Sequence, residues 1–390
     1  MKMRTPKYQF FSNDEYKQRM DALRARMEQK GVDCMLITTP ENLLYMTGYQ
    51  TPGYYWWQTF IVPTEDNHEP VFIARLIESS NVEPLTWVED SRPYQDYDDW
   101  IAHTRDALAS MGLDKKRIGL ENDSYFLTHK NAMRLMTVLP DATFVDCSGL
   151  VEEGRVIKSP QEIEYIRQAS RAAEAGMVAA IDAVKVGVTE NDVAAAMHSA
   201  QILAGSEYTG LPAFIKSGPR DILTHGTWYR RRLEDKEIIH FEIPGCIHRY
   251  HSAMFRPVYL GEPSPQMTRA AQVGMDALQA GKDAIRPGVK AGDVHEVVEK
   301  TLMEGLGVTK PSRAAYSIGL AYAPDWGEGH ILSMTKGEQR PLEVGMTFHL
   351  VAGTGIVPGV GGLNTTDTIL VTENGCETLT DGVERKLYVR

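Results

Sequence analysis

The chain has 390 residues, 43% of them hydrophobic and 24% charged, enough apolar side chain for a sizeable core and, at this length, for two domains. A formal charge of -11 at pH 7 repels phosphate backbones and anionic lipid, and no Lys/Arg run is long enough to reverse that, so neither nucleic acid nor membrane is an expected partner. The first twenty residues contain no apolar signal core, and the longest uncharged stretch is broken by glycines, a proline and polar residues, which predicts a soluble, cytoplasmic protein.

Helical spacing over 14–30 ends at Gly31, and VDCMLITT then reads as a buried strand. Apolar runs follow at FIVP, PVFIA and RIGLE, then a helix near HKNAMRLMTVL and a strand TFVDC, so 1–155 alternates in the α/β manner. Within it, TPGYYWWQTF places Tyr54, Tyr55, Trp56 and Trp57 side by side, and a strand would turn them to both faces. At 156 a second domain is predicted to begin, with Ser159 capping a helix, Pro160 at its first position and Glu162 three residues on. Cys34, Cys147, Cys246 and Cys376 are scattered without C-x-x-C spacing and are expected as buried, reduced thiols.

The second domain, 156–390, carries a weak internal repeat. RAAEAGM at 171–177 recurs as RAAQVGM at 269–275, and VKVGVTENDVAAAM from Val184 recurs as IRPGVKAGDVHEVV from Ile285. Each copy predicts a helix, a glycine turn, a cap at Asn191-Asp192 or Gly292-Asp293, and a second helix. Strand-like segments follow each: FIKSG and IIHFEI, then AAYSIGL and GMTFHLV. Two such α/β halves sharing one antiparallel sheet place a cleft where the halves meet, and clefts of that kind bind ligands.

The segments SGPRDILTH, HFEIPGCIHRYHSAMFRP, AYSIGL, GMTFHLVA and NTTDTILVTE, in that order, resemble the pita-bread family of creatinase, prolidase, aminopeptidase P and methionine aminopeptidase over essentially the whole chain. The resemblance implies an α/β (α+β) fold, with a creatinase-type N-terminal domain and a pita-bread C-terminal domain of pseudo-twofold duplicated halves. Metal-dependent members hold two divalent ions with two Asp, a His and two Glu. The corresponding positions here are Glu242, Ala253, Tyr316, Val351 and Thr366, so no metal and no cofactor is expected. Creatinase keeps glutamates where this chain has Phe255 and Val351, which counts against creatinase activity. The chain is more similar to the metal-free ectoine hydrolase branch, which opens a cyclic amidine.

The resemblance implies Glu242 as nucleophile or base and His225, in SGPRDILTH, as proton shuttle, with Tyr316 supplying a hydrogen bond at the vacated histidine position. An imidazole titrating near neutrality can move protons both ways. The alternative for Glu242 is a structural pair with Arg249 or Arg256. Trp326 and Asp325, in AYAPDWGEGH, are candidates for holding a cation, with His251 and His349 as further substrate contacts. Creatinase-like relatives are dimers whose N-terminal domain reaches the neighbour's cleft, which implies Tyr55, Trp56 and Trp57 as substrate contacts, while Arg75 is a candidate for a substrate carboxylate. The expected protein is a homodimeric, metal-independent hydrolase of a small molecule, ectoine first among substrates. Xaa-Pro dipeptidase, creatinase-like amidinohydrolase and a non-catalytic binding module are the competing readings.

Overall fold

A computed structural model describes residues 2–66, 68–357 and 359–390. Its contacts divide the chain into two compact units, Met1–Arg155 and Val156–Arg390. In the first unit a six-stranded sheet runs in the order Asp90–Ser91, Val71–Ile73, Thr59–Pro63, Cys34–Ile37, Arg117–Leu120, Thr143–Asp146. Cys34–Ile37 and Thr59–Pro63 are buried at every position, as continuous apolar runs covered on both faces require. The helix Asn13–Lys30 starts at the Ser12 cap and ends at Gly31, whose φ of 70° suits glycine, and it buries Tyr16, Met20, Leu23 and Met27 at three- and four-residue spacing.

The aromatic run of this unit is divided. Trp57 lies in the core with its Nε1–H donating to Thr104 Oγ1 at 3.0 Å, so it is packing rather than a ligand contact. Trp56 is half-buried under the Arg75 guanidinium, 4.3 Å from the ring centroid, and Tyr55 is 75% exposed. Arg75 is paired with the half-exposed Asp96 at 2.5 Å, a surface ion pair with which a substrate carboxylate would compete.

The second unit repeats one plan twice. Helices Pro160–Ala183 and Glu190–Leu203 precede strands Phe214–Ser217, Ile238–Ile247 and Tyr250–Tyr259; helices Pro265–Ala284 and Ala291–Leu306 precede Ala315–Ser317, Ser333–Met334, Thr347–Leu350, Asp367–Thr372 and Gly375–Thr378. The equivalent turn glycines, Gly187 and Gly288, have φ of 88° and 85°. The caps differ from expectation. Thr189 caps the first copy's second helix, with Asp192 as its capping-box partner, and Lys290 stands at the cap of the other with no side-chain bond.

The strands form two main sheets rather than the single one expected. Ser333–Met334, Ala315–Ser317, Thr347–Leu350, Asp367–Thr372 and Gly375–Thr378 make one; Tyr388–Val389, Tyr250–Tyr259, Ile238–Ile247 and Phe214–Ser217 make the other. Where they meet, isolated bridges at Phe255–Thr366 and Tyr250–Leu320 replace a ladder. Threonine hydroxyls take over the backbone partners: Thr368 Oγ1 accepts from Ala253 N–H and donates to Ala253 C=O, and Thr366 Oγ1 accepts from Phe255 N–H. Cys34, Cys147 and Cys246 are buried free thiols; Cys376 is only half-buried because Gly375–Thr378 is an edge strand. Among the described residues no helix is long and apolar enough to cross a membrane.

Candidate active site

A cavity of about 720 Å³ lies within the second unit. Residues two apart on a strand share a face. Ile238–Ile247 therefore presents His240 and Glu242 together, and Phe214–Ser217 presents Phe214 and Lys216. The antiparallel register sets Phe214 opposite Glu242 and Lys216 opposite His240, and all four line the cavity. Phe255, opposite Glu242 on the other side, adds a ring wall. The second half of the unit contributes Tyr316, Asp325, Trp326, Val351 and Thr366, with Lys310, Ser312 and Arg313 from the loop before Ala315–Ser317.

Glu242 is 7% exposed. Burial pushes its carboxyl well above the ordinary range; Lys216 and Arg313 oppose this and Asp325 adds to it. Neither suspected arginine neutralises it. Arg249 donates to the carbonyls of Tyr208 and Ala321, and Arg256 to Asp367 and to the carbonyls of Val383, Glu384, Thr366 and Phe255. His349 Nδ1 stands 3.9 Å from Glu242 Oε1.

Tyr316 connects Glu242's surroundings to the interior. Trp326 Nε1–H donates to Tyr316 Oη at 2.8 Å, Tyr316 Oη is 2.7 Å from His349 Nδ1, and His349 Nε2 is 2.6 Å from Thr366 Oγ1. The chain has two proton arrangements. Either Tyr316 donates to Nδ1 and Nε2–H donates to Thr366, or Thr366 donates to Nε2 and Nδ1–H donates to Tyr316, freeing the phenol proton for the cavity. Burial holds His349 at about 3, so the ring is neutral, and burial followed by Glu242 raises Tyr316 well above its usual value, so the phenol keeps its proton. His349 itself does not line the cavity; it acts behind Tyr316.

Asp325 and Trp326 are held by their own loop. Asp325 Oδ1 accepts from the N–H groups of Trp326 and Gly327 at 2.7 and 3.0 Å, and three residues after Asp325, buried Glu328 receives Lys158 Nζ at 2.6 Å. Trp326 is 2% exposed and packs 5.1 Å from Phe214. His225 is exposed at the cavity, its ring 5.0 Å from Phe214 and its backbone left-handed at φ 54°. Lys216 steadies that loop by donating to the carbonyls of Asp221 and Leu223 at 2.7 and 2.6 Å. His251 is a scaffold residue instead: its Nε2 accepts from Gly210 N–H, its Nδ1–H donates to Arg249 C=O, and it does not border the cavity.

Sequence reasoning missed His240, Asp221, Lys216, Lys310 and Arg313. His240 Nδ1 is 3.3 Å from Asp221 Oδ1, and burial keeps the ring below its usual value. Burial opposes the charge on Asp221, but His240, the Gly362 N–H and Lys216 outweigh it and hold the carboxyl low. The period-two spacing of HFE was the available signal for His240, and the FIK spacing for Lys216.

The five positions that hold metal in the resembling enzymes do not fit a metal here. Glu242, Tyr316, Val351 and Thr366 border the cavity and Ala253 packs beside Phe214 and Tyr316. Ala253 and Val351 have no donor atom, and the Thr366 hydroxyl is engaged by Phe255 and His349. Among the described residues no three His, Cys, Asp or Glu side chains cluster as ligands.

Comparison with known proteins agrees with this architecture. Residues 164–373 match metallopeptidase family M24 and 19–157 the creatinase/prolidase N-terminal domain. A hydrolase/peptidase of Sinorhizobium fredii, y4tM, is 34% identical, and the ectoine hydrolase of Halomonas elongata 31% identical, each alignment covering 97% of this chain and 98% of the relative. The Xaa-Pro dipeptidase of Bacillus anthracis superposes with a TM-score of 0.83 at 22% identity, over 96% of this chain and 100% of that one, a likeness of fold. The chain belongs to metallopeptidase family M24, the pita-bread hydrolases, and carries the creatinase/prolidase N-terminal domain.

Proposed function

We propose that the protein is a metal-independent hydrolase of a C–N bond in a small cyclic amidine, with ectoine as the first candidate. One observation carries the reading: the family's metal-holding wall retains a single carboxylate, Glu242, buried without an ion-pair partner among the described residues and facing a cavity. A buried carboxyl of raised pKa is ionised when a cation is set against it, so an amidinium both neutralises Glu242 and is oriented by it. The likeness to the Halomonas ectoine hydrolase supports the same substrate class.

The amidinium carbon is already electron-poor, so it needs no metal Lewis acid. Glu242 attacks it, forming a C–O bond; one ring C–N bond breaks and the nitrogen leaves as an amine after His225 gives it a proton. Water, deprotonated by His225, then adds to the same carbon and releases Glu242, leaving an amide. In the direct variant Glu242 takes the proton of the attacking water, and the net consumption of one water is unchanged. Tyr316, with its phenol proton turned to the cavity, donates to the developing charge. The reading includes a cytoplasmic homodimer, supported by four free thiols and by the exposed ring of Tyr55; light scattering at twice the chain mass tests the dimer.

The experiment is a paired assay of ectoine and Xaa-Pro dipeptides followed by mass spectrometry. Ring opening of ectoine to an acetylated diamino acid supports the proposal; dipeptide cleavage with ectoine untouched overturns it. Acid quench and intact-protein mass separate the covalent route, which leaves an adduct on Glu242, from the direct one.

A further inference from the structure

Besides Lys216, whose Nζ is taken up by two backbone carbonyls, the cavity lining carries two cations that no carboxylate among the described residues neutralises. Lys310, 9% exposed, has Ser312 Oγ at 3.1 Å as its Nζ partner and no carboxylate within ion-pair distance among the described residues. Burial alone lowers it, to about 8. Three residues on, Arg313 lies over the Tyr316 ring at 4.1 Å, with Nη1 3.4 Å from Ser333 Oγ and again no carboxylate partner. Its position depends on Gly329: a Cβ there would stand 2.0 Å from Arg313 Nη1.

A buried ammonium without an anion is costly, and a planar guanidinium with unused donors suits a carboxylate. The same lining carries Glu242 and Asp325. We propose that Lys310 and Arg313 form a carboxylate-binding subsite, so that the molecule turned over is a zwitterion with its carboxylate on this pair and its cationic nitrogens toward Glu242 and Asp325. The placement of the cationic end rests on the amidine reading above, whereas the subsite itself does not. A free cyclic amidino acid and the C-terminal carboxylate of a dipeptide present the same group.

The test is calorimetric binding to the full chain carrying E242Q, which holds ligand without turnover. Four probes are used: ectoine, its methyl ester, Ala-Pro and Ala-Pro amide. The subsite predicts that at least one acid binds 10- to 100-fold tighter than its ester or amide, the range of one charge-assisted hydrogen bond. Adding K310M should bring that ratio below 3, and G329A, which displaces Arg313 without changing its charge, should lower it as well. Preference for ectoine over its ester, lost in K310M, supports both the subsite and the amidine reading. Preference confined to Ala-Pro, lost in K310M, keeps the subsite and removes the amidine reading. Equal binding of acid and carboxylate-blocked forms in both pairs, or a preference that survives in folded K310M, overturns the subsite. Acetylation of Lys310 in the unmutated chain gives a readout independent of variant folding: the acid that binds must slow it at least fivefold and its ester or amide must not.

Discussion

Tyr316 Oη and His349 Nδ1 are joined at 2.7 Å beside Glu242, whose Oε1 is 3.9 Å from the same nitrogen. A neutral imidazole and a protonated phenol thus stand beside Glu242 at the cavity, and the proton between them can point inward or outward.

Tyr316→Phe removes the phenol while keeping the ring. The expected result is a 10²- to 10³-fold fall in kcat with a smaller change in KM. Trp326 Nε1 and His349 Nδ1 each lose a partner, so urea unfolding should show a loss of about 1–3 kcal/mol. Wild-type kcat in this variant removes Tyr316 from the reaction.

Glu242→Gln should abolish turnover, by at least about 10³-fold, and stabilise the fold at high pH. The folded pKa is raised above the unfolded value, so the native state binds the proton more tightly; that stability is present below the unfolded pKa and lost as pH rises through the folded one. The variant should therefore melt higher than wild type at pH 9, by a few degrees for about 1 kcal/mol, and close to wild type at pH 5. Calorimetry at the two pH values checks this.

His349 has the opposite sign. It titrates at about 3 when folded, against 6.5 ordinarily, so the unfolded chain takes up a proton that the fold refuses. Stability should fall by about 1.4 kcal/mol per pH unit from this group between about pH 6 and 3. Denaturation series of wild type and His349→Gln should differ in slope by that one proton, and equal slopes would mean the ring is charged in the fold.

Glu328→Gln tests the loop. It leaves Lys158 buried without its counter-charge, which typically costs about 3–5 kcal/mol. Because Asp325 and Trp326 lie just upstream, Trp326 fluorescence should shift and KM rise while the Glu242-dependent pH profile keeps its shape.

Chain order and pattern revealed much of this molecule. The helix–glycine–helix repeat foretold the two helix pairs; Glu242, Tyr316, Trp326, Asp325 and His225 were singled out by family resemblance rather than by strand pattern, and all five border one cavity. The sheets were harder, because the Thr366 and Thr368 hydroxyls that end the ladder look like any strand threonines. Lys310 and Arg313 were invisible for another reason. A lone lysine in a loop is normally solvated, and only tertiary burial without an acid distinguishes this one. Trp57 and His251 carried chemistry-bearing side chains but were claimed by Thr104 and by backbone groups.

Glu242 is proposed to do the work that a metal does in the metal-dependent relatives. The direct measurement is ring opening of ectoine by protein stripped with chelator and shown metal-free by elemental analysis. Full turnover is expected, unchanged when manganese, cobalt or zinc is restored, and lost in Glu242→Gln. Turnover that appears only after a divalent ion is added, in proportion to ion bound, would contradict it.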